Sequence, residues 1–257
     1  MKNVVFIPNI DLGNGRSNPY HYSIKSWEYW CGKNDCILFE WKTPRLDPTL
    51  FPITFQRYMV FDILEEEGID YDKILMVDAD TIIHPKTPNF FELVGDEMGV
   101  TLNNGSYEWV LRSIKNWGNA IFSNEPKIKT WEYFNGGFQI VNSKHKEFYK
   151  VVMKFYKTNI EIIDHYKNQI KAGTDQTIIN YLTQIYNIKK QILPECYNLQ
   201  ELHTKSLLHI PGYSYFEDEL VFLEAGWVYH FNGIPQNPSN RNVSYWMERT
   251  YKHLYDE

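Results

Sequence analysis

Apolar runs separated by polar, glycine-marked and proline-marked stretches set out an alternating strand and helix order at the start of the chain. Val4–Ile7 is a β-branched and aromatic run closed by Pro8, and it predicts a first buried strand. Asn9–Asn18 follows as a loop carrying Gly13 and Gly15. A helix is expected from about Tyr20 to Trp30 and a second strand over Cys36–Trp41. Pro44, Pro48 and Pro52 then mark an irregular stretch. Between Ile53 and Glu67, Phe55, Tyr58, Met59, Phe61, Ile63 and Leu64 recur near helical spacing, with Gly68 closing the helix. Lys73–Val77, apolar without interruption from Ile74, reads as a strand covered on both faces and ends in Asp78-Ala79-Asp80.

The later chain is mixed. Asn135-Gly136-Gly137 reads as a turn into a strand over Phe138–Val141. Helices are expected over Lys144–Lys157 and Asp175–Ile185, the second with Thr174 as N-cap. Short strands are expected near Lys189–Ile192, Ser206–Ile210 and Trp227–Phe231, and a helix over Val243–Tyr255. The order implies an α/β fold of the doubly wound kind, a mostly parallel central sheet flanked by helices. Ligands of such sheets bind beyond the carboxyl ends of the strands, where the two aspartates fall. Without a linker, internal repeat or low-complexity tract, residues 1–257 read as a single domain.

Composition narrows the function classes. A chain of 257 residues can bury roughly three quarters of its unfolded surface, so it needs no covalent staples. The formal charge of −6 argues against a nucleic-acid partner. The apolar N-terminal run is too short for a signal peptide and nowhere approaches the roughly 18 residues of a membrane span. Cys31, Cys36 and Cys196 have no metal-ligand spacing and make a poor disulfide framework. A cytoplasmic protein is therefore expected. The aromatic load (8 Trp, 19 Tyr, 15 Phe) suits a thick core and equally suits surfaces that pack on sugar rings.

Asp78 and Asp80 carry the candidate chemistry. Positions i and i+2 of a strand face the same side, so both carboxylates can converge on one point. Two close anions repel unless a cation neutralises them, and carboxylate oxygens with room for water and phosphate suit Mg²⁺ or Mn²⁺. The ordinary alternative is an Asx-turn that caps the strand end.

An apolar strand ending in Asp-x-Asp resembles the GT-A glycosyltransferases, particularly family 8-type members. Three further segments in matching order strengthen the resemblance: Tyr133-Phe134-Asn135-Gly136-Gly137-Phe138, Thr174-Asp175-Gln176, and His230-Phe231-Asn232-Gly233. It implies a GT-A-type Rossmann-like fold, with a nucleotide-binding half at about 1–125 and a sugar- and acceptor-binding half at about 126–257. It also implies a metal-dependent hexosyl- or pentosyltransferase moving sugar from a nucleotide-sugar donor to a glycan or small hydroxyl acceptor. UDP is the favoured donor nucleotide and GDP the second. Where the family places a Lys-Pro-Trp, with the Lys on the diphosphate, this chain has Gln236-Asn237-Pro238. Arg241 is the candidate substitute, and the anomeric outcome stays open.

The resemblance makes Asp80 and His230 metal ligands, with Asp78 on the metal through water or on the donor ribose. A nitrogen ligand favours Mn²⁺ over Mg²⁺. Asn135, Gly136 and Gly137 would lie under the donor sugar, with Asp175 and Gln176 on its hydroxyls and Gly233 in the late loop. If the enzyme inverts, Asp175 is the candidate base. Arg57, next to Gln56, either reaches the phosphates or forms a surface ion pair. Ile7, Pro8 and Asn9 are placed to cradle the base, and Trp109, Trp117, Trp131, Tyr213 and Tyr215 to shape an acceptor groove. Each of these residues also has a plain reading in packing, capping or turns. Two rival functions are a non-catalytic nucleotide-sugar or glycan-binding module and a haloacid dehalogenase-type phosphatase. In the phosphatase Asp78 would attack phosphorus. Against it, about 70 residues precede the motif and Gly95-Asp96 is followed by no matching Asp.

Overall fold

A computed structural model describes residues 1–208, 220–234 and 241–255. Six strands form the main sheet: β1 (Lys2–Pro8), β2 (Ile37–Trp41), β3 (Tyr71–Val77), β5 (Met98–Leu102), β6 (Phe134–Asn142) and β7 (Lys190–Leu193). Their order across the sheet is β2-β1-β3-β6-β5-β7. All run the same way except β6, which pairs antiparallel with β3 and β5. A separate two-stranded ribbon joins β4 (Thr81–Ile83) to β8 (Val228–His230).

Alternation along the strands sorts side chains to the two faces. Val4 and Phe6 of β1 and Ile74 and Met76 of β3 enter one core, with α3 (Val60–Glu66), α5 (Lys146–Ile170) and α6 (Thr174–Ile185). Val5, Ile7, Leu75 and Val77 enter the other, with Trp27 and Trp30 of α1 (Tyr20–Lys33). Trp30 stacks on Phe90 at 4.7 Å between centroids, and its indole N–H donates to the Thr87 carbonyl at 2.9 Å. Both needs of a buried tryptophan, area and a partner for its N–H, are thus met. A third core lies beneath the ribbon, where Ile82, Tyr229 and Phe231 meet Trp246 and Met247 of α7 (Val243–Tyr255).

Several expected elements differ in detail. The helix expected from Ile53 to Glu67 breaks into α2 (Ile53–Gln56), a 3₁₀ turn over Arg57–Met59, and α3. At the break the Thr54 carbonyl accepts from Arg57 Nε at 3.1 Å, so the guanidinium turns inward and the backbone tightens there. Asn135-Gly136-Gly137 is no turn; it lies inside β6, whose nine residues are all buried. Ladder bonds on both sides, with Val77 opposite Phe138 and Leu102 opposite Phe134, override the local turn preference. Thr174 is the first residue of α6 rather than its cap; Gly173, at φ +55°, holds the cap position without a side-chain bond. Ser206–Leu208 forms no strand, and the rest of that expected strand, His209 and Ile210, lies outside the described residues. The helix α4 (Tyr107–Trp117) and the strands β4 and β5 are elements the sequence reading does not anticipate. Cys31, Cys36 and Cys196 are free thiols. No helix among the described residues is long and apolar enough to cross a membrane.

Candidate active site

The buried run of β3 ends at Val77, and Asp78 keeps the ladder going by donating its N–H to the Gly137 carbonyl at 3.0 Å. After Ala79 and Asp80 the chain enters β4, which pairs antiparallel with β8 so that Thr81 stands opposite His230. The Asp80 carbonyl accepts from the Phe231 N–H at 2.8 Å. This short ribbon carries a histidine from late in the chain to the two aspartates.

His230 is oriented from behind. Its Nδ1–H donates to Asn198 Oδ1 at 3.1 Å. The Asn198 amide cannot face the other way, because its Nδ2 donates to Thr101 Oγ1 at 3.0 Å and to Asn135 Oδ1 at 3.2 Å. The Nε2 atom then lies 3.2 Å from Asp80 Oδ1 and 3.6 Å from Asp78 Oδ2, buried and without a hydrogen-bond partner. In this tautomer the neutral ring has a lone pair on Nε2. Three electron-pair donors therefore converge, with their atoms within 4.8 Å of one another. Two carboxylates and an imidazole held from its far nitrogen make a donor set that fits a divalent cation. Gly137 makes room for the cluster: a Cβ there would sit 2.2 Å from Asp78 Oδ2 and 2.9 Å from His230 Cε1. Without a cation, the same carboxylates favour a proton on His230. Burial alone would keep the ring neutral, but Asp80 and then Asp78 outweigh it and raise its pKa. Burial likewise disfavours the Asp80 carboxylate, yet His230 and Arg16 hold it well below the ordinary range.

Beside the cluster lies a second charged group. Arg57 is buried and commits every arm of its guanidinium. Nη1 donates to Asp78 Oδ1 at 2.6 Å and to the Gly136 carbonyl at 3.1 Å, Nη2 to Asp175 Oδ2 at 3.3 Å, and Nε to Thr54. Burial opposes the arginine's charge, but Asp78 and Asp175 more than restore it. For Asp175 burial wins: its pKa is raised despite Arg57, and Asp78 adds to the rise.

The wall beyond Gly136 is made of neutral amides, touched by one carboxylate where Glu201 Oε1 accepts from Asn103 Nδ2 at 2.9 Å. Asn103, Asn135, Gln176, Asn198 and Gln200 are all buried there. Gln176 Oε1 accepts from the Gly136 N–H at 2.9 Å, and its Nε2 donates to Asn103 Oδ1 at 3.1 Å. Asn135 Oδ1 accepts from the Gly137 N–H at 2.9 Å, while its Nδ2 donates to Gln200. Gln200 Nε2 in turn donates to the Leu102 carbonyl at 2.6 Å.

In front of the cluster of Asp78, Asp80 and His230 opens a cleft lined by Pro8, Ile10, Arg16, Arg57, Asp78, Asp80 and Asn232, among others. Of the residues expected at the base, Pro8 lines this cleft, Ile7 is buried in the α1-side core, and Asn9 donates to Glu40 Oε1 at 2.6 Å. Gly233 follows Asn232 with φ +66°. Gln56 is buried and ties down the preceding loop by accepting from the N–H groups of Arg45 and Leu46, each at 2.9 Å. Among the aromatic groove candidates, Trp117 is fully buried with its indole on the Ala172 carbonyl, Trp109 is half-buried, and Trp131 is exposed beneath Lys129. Tyr213, Tyr215 and Gln236-Asn237-Pro238 lie outside the described residues. Arg241 rests its guanidinium 6.0 Å from the centre of the Tyr245 ring and does not line the cleft. The sequence reading misses Arg16, Asn103, Asn198 and Gln200, and takes in Asn232 only as part of the late motif, with no role. The polar-apolar-polar alternation of Asn198-Leu199-Gln200 is the signal that could have exposed two of them.

No protein-family model matches the sequence, and comparison with curated proteins finds no match. Solved structures do resemble it. A glycosyltransferase involved in the glycosylation of the major capsid of PBCV-1 is similar with a TM-score of 0.58. The match covers 96% of this chain and 99% of that one, at 11% identity. The glycosyltransferase GlyE of Streptococcus pneumoniae TIGR4 is similar with a TM-score of 0.52 at 15% identity, and its apo form with the same score at 16%. The whole of this chain matches 62% of the GlyE chain. At such identities the likeness is one of fold: a mixed α/β, GT-A-type architecture with a mostly parallel sheet and flanking helices.

Proposed function

We propose that this protein is a metal-dependent glycosyltransferase with family 8-type motifs, taking a sugar from a nucleotide-diphosphate donor and passing it to a hydroxyl acceptor. The observation that carries the reading is the meeting of Asp78, Asp80 and an unpartnered His230 Nε2 at the inner end of the cleft. Asp78, Asp80 and His230 would hold the cation, with Mn²⁺ favoured over Mg²⁺ by the nitrogen ligand. Such an ion, when bound, stabilises the negative charge of a departing diphosphate as a Lewis acid.

The chain's own groups supply position and proton control. Pro8 and Ile10 flank the cleft where a nucleobase would lie, with UDP the favoured donor and GDP the second. Gly136 and Gly137 let Gln176, Asp78 and His230 pack close against β6, and Asn135, Gln176 and Asp175 are the candidate partners of the sugar hydroxyls. Arg57 acts by holding Asp78 and Asp175 in place, since none of its arms is free. Asp175 is the candidate base for the acceptor hydroxyl if the reaction inverts, and its raised pKa suits a group that must take up a proton.

Isothermal titration of UDP and GDP into chelator-stripped protein, with and without Mn²⁺, tests the reading. One nucleotide should bind only with metal, and Asp80→Ala should abolish that binding. Slow hydrolysis of the matching nucleotide sugar then separates an enzyme from a binding module. If neither nucleotide binds in any condition, the proposal fails.

A further inference from the structure

Resting on that donor-site reading, we propose that Arg16 and the cation compete for Asp80, and that the displaced guanidinium becomes the diphosphate-binding group of the cleft. Among the described residues that line the cleft, the only cations are Arg16 and Arg57. Arg57 is buried, and each of its three nitrogens already donates, to Asp78, Asp175 or a backbone carbonyl. Turning it to a ligand would draw it away from two half-buried carboxylates. Arg16 is built the opposite way. Its side chain is 69% exposed, and it touches Asp80 Oδ2 only at 3.5 Å through Nη2.

The loop that carries Arg16 is organised rather than slack. It leaves the carboxyl end of β1, the side on which open α/β sheets bind their ligands. Asp11 Oδ1 accepts from the Gly13 N–H at 2.9 Å and from Ser17 Oγ at 3.1 Å. Asn14 Oδ1 accepts from the Arg16 N–H at 3.1 Å. Tyr20, at the start of α1, accepts from Arg16 Nε at 3.1 Å and keeps the guanidinium over the cleft. A planar fork anchored at Nε still has its outer nitrogens for phosphate oxygens, which is bidentate chemistry suited to arginine.

Charge balance gives the sequence of partners. The cleft presents Asp78 and Asp80, and a diphosphate adds more negative charge, so a free cation has to face the phosphates. In the absence of a divalent ion, Arg16 partly neutralises Asp80. A divalent ion on Asp80 removes that attraction and repels the guanidinium towards the phosphates.

The consequence is a pair of opposite changes, which a purely structural role would not produce. Arg16→Gln should bind Mn²⁺ alone about two- to fivefold more tightly, the worth of one exposed ion pair. The same variant should bind the nucleoside diphosphate with Mn²⁺ about 10- to 100-fold more weakly. Its preference for the diphosphate over the corresponding monophosphate should shrink, and Arg16→Lys should recover part of the loss. Calorimetry on wild type and both variants, with UDP and UMP or GDP and GMP, reads all of these. A wild-type protein that binds the diphosphate alongside an Arg16→Gln variant that binds it equally well overturns the inference and leaves the donor site standing. Metal and nucleotide affinity falling together in Arg16→Gln also overturns it. A wild-type protein that binds no nucleotide sinks the donor-site reading and this inference with it.

Discussion

Two walls of one site are built from opposite materials. On the β3 side stand Asp78, Asp80, Asp175, Arg57 and His230, a group of charges with few neutral partners. On the far side of Gly136 stand five buried amides, Asn103, Asn135, Gln176, Asn198 and Gln200, bonded mostly to one another and to backbone. Buried charge is expensive and replaceable as far as folding is concerned, so its presence marks chemistry. A saturated amide network lacks a strong field but has direction, because every oxygen and nitrogen already has its place. The charged wall brings three donor atoms to one point, while the amide wall fixes Asn135 and the Gly136-Gly137 backbone in place. Asn198 joins them, since its oxygen sets the ring of His230 while its nitrogen belongs to the amides.

The largest effect is expected at the centre of the charged wall. Arg57→Met removes the buried cation from the half-buried Asp78 and Asp175 and should cost up to about 3–5 kcal/mol of stability. Urea unfolding measures it, and adding Asp175→Asn to the same chain should return part of the loss. A loss below about 1 kcal/mol would mean that water already reaches the pair, and the contrast between the walls would collapse.

Legibility in the sequence follows the same division. Asp78 and Asp80 announce themselves because a buried apolar strand precedes them and their i, i+2 spacing puts both carboxylates on one side. His230 and the Asp175-Gln176 pair are readable by their neighbours in the chain. Asn135-Gly136-Gly137 is visible as chemistry but misread as a turn, because pairing with strands on both sides cannot be seen locally. The amide wall is mostly silent. Asn198 and Gln200 flank Leu199, whose one bridge to Tyr229 makes an extended stretch too short for its alternation to stand out. Arg16 sits in a loop without periodicity and meets Asp80 only through the fold. The main sheet was more legible than the ribbon, because Val4–Ile7 and Ile74–Val77 are long apolar runs while Thr81–Ile83 is three residues. In α4 the spacing of Val110, Ile114 and Trp117 is helical and was open to reading.

A smaller effect should separate the two walls through their shared residue. Gln200→Leu removes a donor from the Leu102 carbonyl and an acceptor from Asn135, a loss of about 1–3 kcal/mol. Mn²⁺ affinity should not change. Asn198→Leu should cost a similar amount and also weaken Mn²⁺ binding about 10- to 100-fold, because His230 loses the group that sets its tautomer. Thermal unfolding with metal titration on both variants decides the matter. Equal metal affinity in the two would show that the amide wall does not reach the metal.

The smallest expected change is a slope with pH, and its sign tells whether the charged wall is kept for stability or in spite of it. Burial raises the pKa of Asp175 in the folded chain above its ordinary 3.8, with Arg57 opposing and Asp78 adding. Within the window from that ordinary value up to the raised one, the folded state holds more protons than the unfolded state. Stability then falls as pH rises. The contribution is complete below pH 3.8 and is lost as pH passes the folded value. Asp175→Asn removes this titration, so wild type should lose stability relative to the variant as pH increases through the window. Urea unfolding of both proteins at closely spaced pH values between about 3.5 and 7 gives the difference with distant titrating groups cancelled. The opposite slope would mean that attraction to Arg57 outweighs burial and that the pair is a structural fastening. The expected slope would mean that the fold keeps an ionised Asp175 at a cost in stability, in keeping with the proposed role as a base.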